Sequence, residues 1–184
     1  MDVISKRKKF FPISEDLQEY LKRFRRESPI PVIYDDMFHF TEAYPYENPQ
    51  GKETLWHSVI YPPHEMEELK EKLVQIYTRL KIGEGMTSPE HLIVDRIDFG
   101  EFGNSKPFRV RITNQFNDNS DYFYVKRADA SRIYGLEFEH IFSPNRINFL
   151  VRENTLIEEH IAGIPGDVFI HDYIERDDLN EVRV

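Results

Sequence analysis

The chain has 184 residues, a formal charge of −9 and no cysteine. That length suits one well-buried core, and the missing thiols exclude a disulfide framework, cysteine-ligated zinc and thiol catalysis. Hydrophobic residues make up 40% and charged residues 31%, the balance of a globular rather than a disordered chain. No apolar run approaches the roughly 18–20 residues that cross a bilayer, and no signal-peptide pattern opens the chain. The cytosol is the expected compartment, and no membrane partner is expected.

Charge is uneven. Residues 1–26 hold eight basic side chains (Lys6, Arg7, Lys8, Lys9, Lys22, Arg23, Arg25, Arg26) against four acidic ones, so the remainder carries −13. A basic arm suits an acidic partner or nucleic acid, but an acidic body repels phosphate backbones. Nucleic-acid binding is therefore disfavoured. A solvated tail leading into a helix with a basic last turn is the plainer reading.

That helix spans 15–26. Ser14 is a good N-cap, Glu15 and Asp16 suit the positive helix end, and Leu17, Tyr20, Leu21 and Phe24 fall on one face. Ser28-Pro29-Ile30-Pro31 stops it. Residues 30–62 are rich in aromatics and broken by Pro45, Pro49, Gly51 and Pro62, so extended segments and loops are expected. A second helix covers 63–81, with Met66, Leu69, Leu73, Ile76, Tyr77 and Leu80 in one apolar stripe and Gly83 and Gly85 beyond its end.

From residue 91 the apolar period becomes two. His91–Phe99 and Phe108–Thr113 read as strands, the second with Phe108, Val110 and Ile112 on one face and Arg109 and Arg111 on the other. Asn117-Asp118-Asn119-Ser120 marks a turn, and Tyr122–Arg127 a third strand. Asp129 caps a helix over 130–142. Ile147–Arg152 and Thr155–Ile161 form a hairpin across Glu153-Asn154.

This order resembles the smaller, nucleotide-binding lobe of the protein kinase-like superfamily, over residues 91–172. Gly100-Glu101-Phe102-Gly103-Asn104-Ser105 sits between two strands, where that family sets a glycine-rich loop over phosphates. The resemblance implies Gly100, Gly103 and Ser105 as phosphate neighbours, although a bulged hairpin turn accounts for the same letters. Tyr124-Val125-Lys126 is similar to the family's third-strand motif, whose lysine holds the α- and β-phosphates. A solvated strand lysine is the alternative. An inward Lys126 needs a counter-charge, for which Glu137 on the following helix is the first candidate and Glu139 the second. Thr155–Gly163 looks like the fifth strand and hinge, which implies that Glu159 and Ile161 lie along the adenine edge. Ile164-Pro165-Gly166-Asp167 and Val168–Ile174 resemble the turn and short helix that follow.

The fold class expected is α+β: a five-stranded, mostly antiparallel sheet with one packed helix over 87–184. A helical and loop-rich N-terminal extension, 1–86, would pack on it as one unit. The resemblance implies ATP with magnesium as ligand. Asp98-Phe99-Gly100 spells the family's magnesium motif but precedes both lysine and hinge, so it is not read as a metal site. Only 21 residues follow Gly163, without a catalytic loop, so catalysis by this chain alone is not expected. The function expected is an incomplete or non-catalytic kinase-like lobe, completed by a partner protein or a C-terminal lobe. The alternatives are an interaction or regulatory module without nucleotide, and a small-molecule domain using the aromatic segment 34–61. Seven histidines lack metal-ligand spacing, and Glu158-Glu159 point to opposite faces of a strand, which is no glycosidase pair.

Overall fold

The computed structural model describes residues 9–48, 50–81, 89–101, 105–144, 146–163 and 169–170. Within them the chain runs through α1 (Glu15–Arg23), a 3₁₀ turn (Tyr34–Phe38), β1 (Glu42–Glu47), β2 (Glu53–Ile60), α2 (Pro63–Lys81), β3 (Leu92–Phe99), β4 (Phe108–Asn114), β5 (Ser120–Arg127), α3 (Ala130–Phe142), β6 (Phe149–Arg152) and β7 (Thr155–Glu159). The strands form one sheet in the order β1-β2-β3-β4-β5-β7-β6, with every neighbouring pair antiparallel.

The expectation of five strands and one packed helix is overturned: the described residues hold seven strands and three helices. The two additional strands come from the proline-bearing stretch before α2. Pro45 stands in β1, opposite His57 and beside an irregularity in the register. A proline lacks the N–H of a ladder bond, and β1 is an edge strand, where that loss is tolerated. The hairpin turns at Gly51, whose φ of +74° favours glycine.

Successive strand residues face opposite sides; one side carries the main core and the other is covered at β6 and β7. Phe108, Val110, Ile112, Phe123, Val125 and Ile157 meet Leu69, Leu73 and Ile76 of α2 and residues 30–37 in the main core. On the second side, Phe149, Val151 and Leu156 meet Leu17 and Leu21 of α1 and Ile133 and Leu136 of α3. The amphipathic stripes read in the sequence therefore place α2 on one face and α1 with α3 on the other.

Helix α1 begins as expected, with the Ser14 side chain accepting from the Leu17 N–H at 3.2 Å. It ends three residues early. Arg25 adopts φ +56°, its N–H donates to the Lys22 carbonyl at 3.2 Å, and the Arg26 N–H reaches back to the Leu21 carbonyl at 2.8 Å. These are the bonds of a Schellman cap with arginine at the left-handed position usually held by glycine. The chain then runs along the edge of β6, the Val151 N–H donating to the Arg26 carbonyl and the Ser28 N–H to the Val151 carbonyl. That edge of the sheet is covered rather than open.

Three phenols fasten the loops to this frame. Tyr34 donates to the Lys106 carbonyl at 2.9 Å, Tyr61 to the Met37 carbonyl at 2.6 Å and Tyr77 to Asp121 Oδ2 at 3.1 Å. Burial first, then nearby carboxylates, pushes Tyr34 and Tyr77 up to about 12 from the ordinary 10.0, and burial raises Tyr61 as well. Because the folded values lie above the unfolded ones, this stabilisation is fully present below pH 10 and is lost as pH rises towards 12. The urea midpoint is expected to fall across that window. In the Tyr34→Phe, Tyr77→Phe double variant the fall is expected to be shallower, as denaturation series at pH 9, 10.5 and 11.5 would read.

Candidate functional site

A cavity of about 730 Å³ opens where β5 ends. Its walls come from the end of the β3–β4 connection, the start of the 3₁₀ turn, the β6–β7 turn, the first turn of α3 and the irregular segment leading to α1. Five of its lining side chains are cationic: Lys9, Lys106, Lys126, Arg127 and Arg132. Two carboxylates line it, Asp35 and Asp129, and both already accept bonds. Asp129 takes the N–H groups of Phe11 at 2.9 Å and Ser131 at 3.0 Å, and Asp35 takes the Asn154 amide at 2.9 Å.

Behind this wall a third carboxylate, Glu158 on β7, is buried. Its Oε1 pairs with Lys126 Nζ, and its Oε2 accepts from Arg132 Nε at 2.9 Å. The pairing follows from strand register. Lys126 stands opposite Leu156 and Tyr124 opposite Glu158, so the lysine and the glutamate lie diagonally on one face. Ile157 sits in the main core on the other face. The Lys126 ammonium also lies 4.8 Å from the centre of the Tyr124 ring, an attraction to the ring face. Two cations sharing one carboxylate leave a surplus of positive charge at the cleft, as do Lys9, Lys106 and Arg127, none of which pairs with a carboxylate among the described residues.

The β3–β4 connection is anchored beside the cleft. The Tyr34 hydroxyl donates towards the Ser105 and Lys106 carbonyls, at 3.2 and 2.9 Å. The Gly100 N–H bonds the Pro107 carbonyl at 2.8 Å. A Cβ on Gly100 would lie 3.1 Å from the Trp56 ring and 3.2 Å from Pro107. A side chain there would require Trp56 or Pro107 to give way by a few tenths of an ångström.

Of the residues singled out in the sequence, Ser105 and Lys126 line the cleft together, and Gly100 holds the base of the same loop. Gly103 lies outside the described residues, as do Gly83, Gly85, the 164–167 turn and His171. Glu137 is not the partner of Lys126. It is buried between helices α1 and α3, accepting from Arg26 Nε at 2.7 Å and from the Tyr20 hydroxyl at 3.1 Å. The lysine takes Glu158 instead, because the neighbouring strand carries a carboxylate on the same face. Glu139 is not in that role either. Glu159 faces the other side of the sheet, where Lys81 Nζ lies 3.0 Å away; burial opposes the Lys81 charge, but Glu159 and Asp121 together raise its pKa. Ile161 is exposed beyond the end of β7. Arg132, Lys106 and Tyr34 were not singled out in the sequence, and Glu158 was weighed only as half of an acid pair with Glu159. The strand alternation through Leu156, Ile157 and Glu158 was the one signal that places Glu158 on the Lys126 side.

No three His, Asp or Glu side chains among the described residues gather in a way that holds a metal ion. Asp98 of the Asp-Phe-Gly triplet is fully buried, bonded by Arg96, Arg109 and Ser58. No described helix is long and apolar enough to cross a membrane. No family model, curated protein or solved structure matches this chain.

Neutralising Glu158 leaves two cations without their buried partner. Glu158→Gln is expected to cost about 2–4 kcal/mol of unfolding free energy. Glu153→Gln, which removes an exposed partner of Arg152, is expected to cost less than about 0.5 kcal/mol. Urea unfolding of the two variants checks the contrast.

Proposed function

We propose that this chain binds the phosphate chain of a nucleotide in the basic cleft, with Lys126 and the Ser105–Lys106 segment as its principal contacts. The observation that carries the reading is the convergence of these elements with three further cations in a chain whose overall charge is −9. Such local concentration of one sign is costly unless an anion occupies it. Lys126, Arg132 and Lys106 offer charged donors from three different elements, which suits a ligand with several phosphate oxygens rather than a single carboxylate.

The kinase-like resemblance belongs to the same proposal. It requires the strand of Lys126 to lie beside that of Ile112 and the helix after it to lie over the sheet. β4 and β5 are adjacent, and α3 packs over β6 and β7, which supports the reading. The Lys126–Glu158 pair departs from the expected lysine–helix pair, so the lysine is held from the neighbouring strand. The proposal is of binding. ATP is the probe, and magnesium would accompany it through the phosphates, since the two carboxylates lining the cleft are engaged by protein groups.

Calorimetric titration with Mg-ATP, ATP alone and inorganic tripolyphosphate tests it. Wild type is expected to bind, with affinity falling as salt rises. Lys126→Ala is expected to weaken binding about 10- to 100-fold, the value of a charge-assisted hydrogen bond. Lys52→Ala, on the distant β1–β2 hairpin, is expected to change nothing. Tighter binding of ATP than of tripolyphosphate would assign a contact to the nucleoside as well. Absence of binding by wild type, or an unaffected Lys126→Ala, would sink the proposal.

A further inference from the structure

Away from the cleft, α1 and α3 lie side by side with an apolar groove between them. Leu17, Tyr20, Tyr134, Phe138 and Ile141 line it, with Glu137 at its floor and Asp16 at one end. Its rims are more apolar than a solvated surface requires. Phe24 is 52% exposed, Phe138 59%, Ile141 63% and Phe142 78%. Phe138 and Phe142 stack on each other, with ring centres 6.0 Å apart, and Tyr20 lies 4.5 Å from Phe24. Contiguous exposed aromatics of this kind mark an interaction surface.

The charges beside the groove say what fits it. Helix α1 is acidic in its first turn, through Glu15 and Asp16, and basic in its last, through Lys22 and Arg23. Asp16 and Arg23 are seven residues apart, so they lie on one helix face about 10 Å from each other. Tyr20 stands between them. A two-fold axis passing near Tyr20 would set Asp16 of one copy against Arg23 of the other, twice, and would oppose the two helix dipoles. A parallel arrangement would instead stack like charges at both ends. The helix is thus complementary to its own rotated image, which is the requirement of an isologous contact.

We propose that a second copy of this chain covers the groove, forming a two-fold symmetric dimer in which the α1 helices run antiparallel. The exposed rings at Phe24, Phe138 and Phe142 enter the groove of the opposite copy, and the two Asp16–Arg23 pairs fix the register. Glu137 supports the surface from below. Bonded to Tyr20 and Arg26, it ties α1 to α3 and holds the groove's two walls at a fixed spacing. Nucleotide binding plays no part in this contact.

Sedimentation velocity of the full chain over a range of concentrations tests it. Wild type is expected to dimerise below about 100 µM, a modest affinity for an aromatic interface. Asp16→Arg and Arg23→Asp are each expected to weaken self-association about ten-fold or more, because each sets like charges together. An equimolar mixture of the two is expected to recover dimers to within about three-fold of wild type, since both charge pairs are restored between unlike copies. Phe138→Glu is expected to be monomeric, with a thermal melt close to that of wild type because the ring is exposed. A wild type that stays monomeric at about 100 µM, whatever else occupies the groove, overturns the proposal. So does a dimer that the charge variants leave unchanged or that mixing fails to restore.

Discussion

The second face of the sheet depends on how one buried carboxylate is neutralised. Asp98 on β3 is fully buried, yet it points away from the main core. Arg109 grips it through Nε and Nη2 at 3.0 and 2.7 Å, Arg96 approaches at 2.8 Å and the Ser58 hydroxyl donates at 2.8 Å. The guanidinium groups in turn lie on aromatic rings: Arg96 is 3.9 Å from the centre of Tyr46, and Arg109 is 4.4 Å from Trp56. One carboxylate therefore connects β2, β3 and β4 directly, and reaches β1 through a ring. The β2–β3 ladder is short, with His57 opposite Phe99 and Ser58 opposite Asp98. Side chains therefore add to a short backbone ladder in holding the β1–β2 hairpin to the sheet. A buried ion stripped of its partners would cost several kcal/mol, so these groups stand or fall together.

Glu158 plays the corresponding part at the opposite end of the same face, with a different consequence. Asp98 is saturated by its partners and offers nothing outward. Glu158 has its two cations at the edge of a cleft, so their remaining donors stay available to solvent or to a ligand. Lys126 comes from β5 and Arg132 from α3. The carboxylate that fixes where α3 sits on the sheet also fixes where the cleft's charges point. Preorganisation of this kind lowers the cost of ordering long side chains around an anion. The residue that fixes the fold here would, under the proposed function, also orient the cations that meet the anion.

What was readable in the sequence divides along physical lines. The helix starts were readable because Ser14 and Asp129 are local caps, and α2 and α3 were readable because their apolar stripes keep one period over several turns. The end of α1 was not, since an arginine takes the left-handed position where glycine would have announced the cap. The β1–β2 hairpin was hidden for a related reason. Prolines mark loops by local chemistry, but an edge strand tolerates them, and edge status is decided by the rest of the fold. At the site, Ser105 and Lys126 were found through short-range motifs. Glu158 required knowing that β7 lies beside β5, a non-local fact. The assignment of Glu137 failed on the same ground: it looked inward correctly, but the element waiting there was α1, with Arg26 and Tyr20.

A net charge of −9 argued at the outset against nucleic-acid partners, and the fold alters the weight of that argument for smaller phosphate-bearing ligands. Charges separated by more than about 8 Å are largely screened at physiological ionic strength, so a ligand responds to the side chains around it rather than to the sum over the chain. Around the cleft five cations outnumber three carboxylates, Glu158 included. One of these cations, Lys9, comes from the basic N-terminal stretch, and the others from β5, α3 and the β3–β4 connection. Folding thus gathers positive charge that the sequence disperses over more than a hundred residues. The total still matters at longer range. On the proposed reading it would slow the approach of a polyanion and leave the cleft to compact anions, whose phosphates fit inside the screened volume. An extended nucleic-acid backbone would run past the cleft and meet the net negative charge of the rest of the chain, so under the proposal the size of the ligand would be the selective variable.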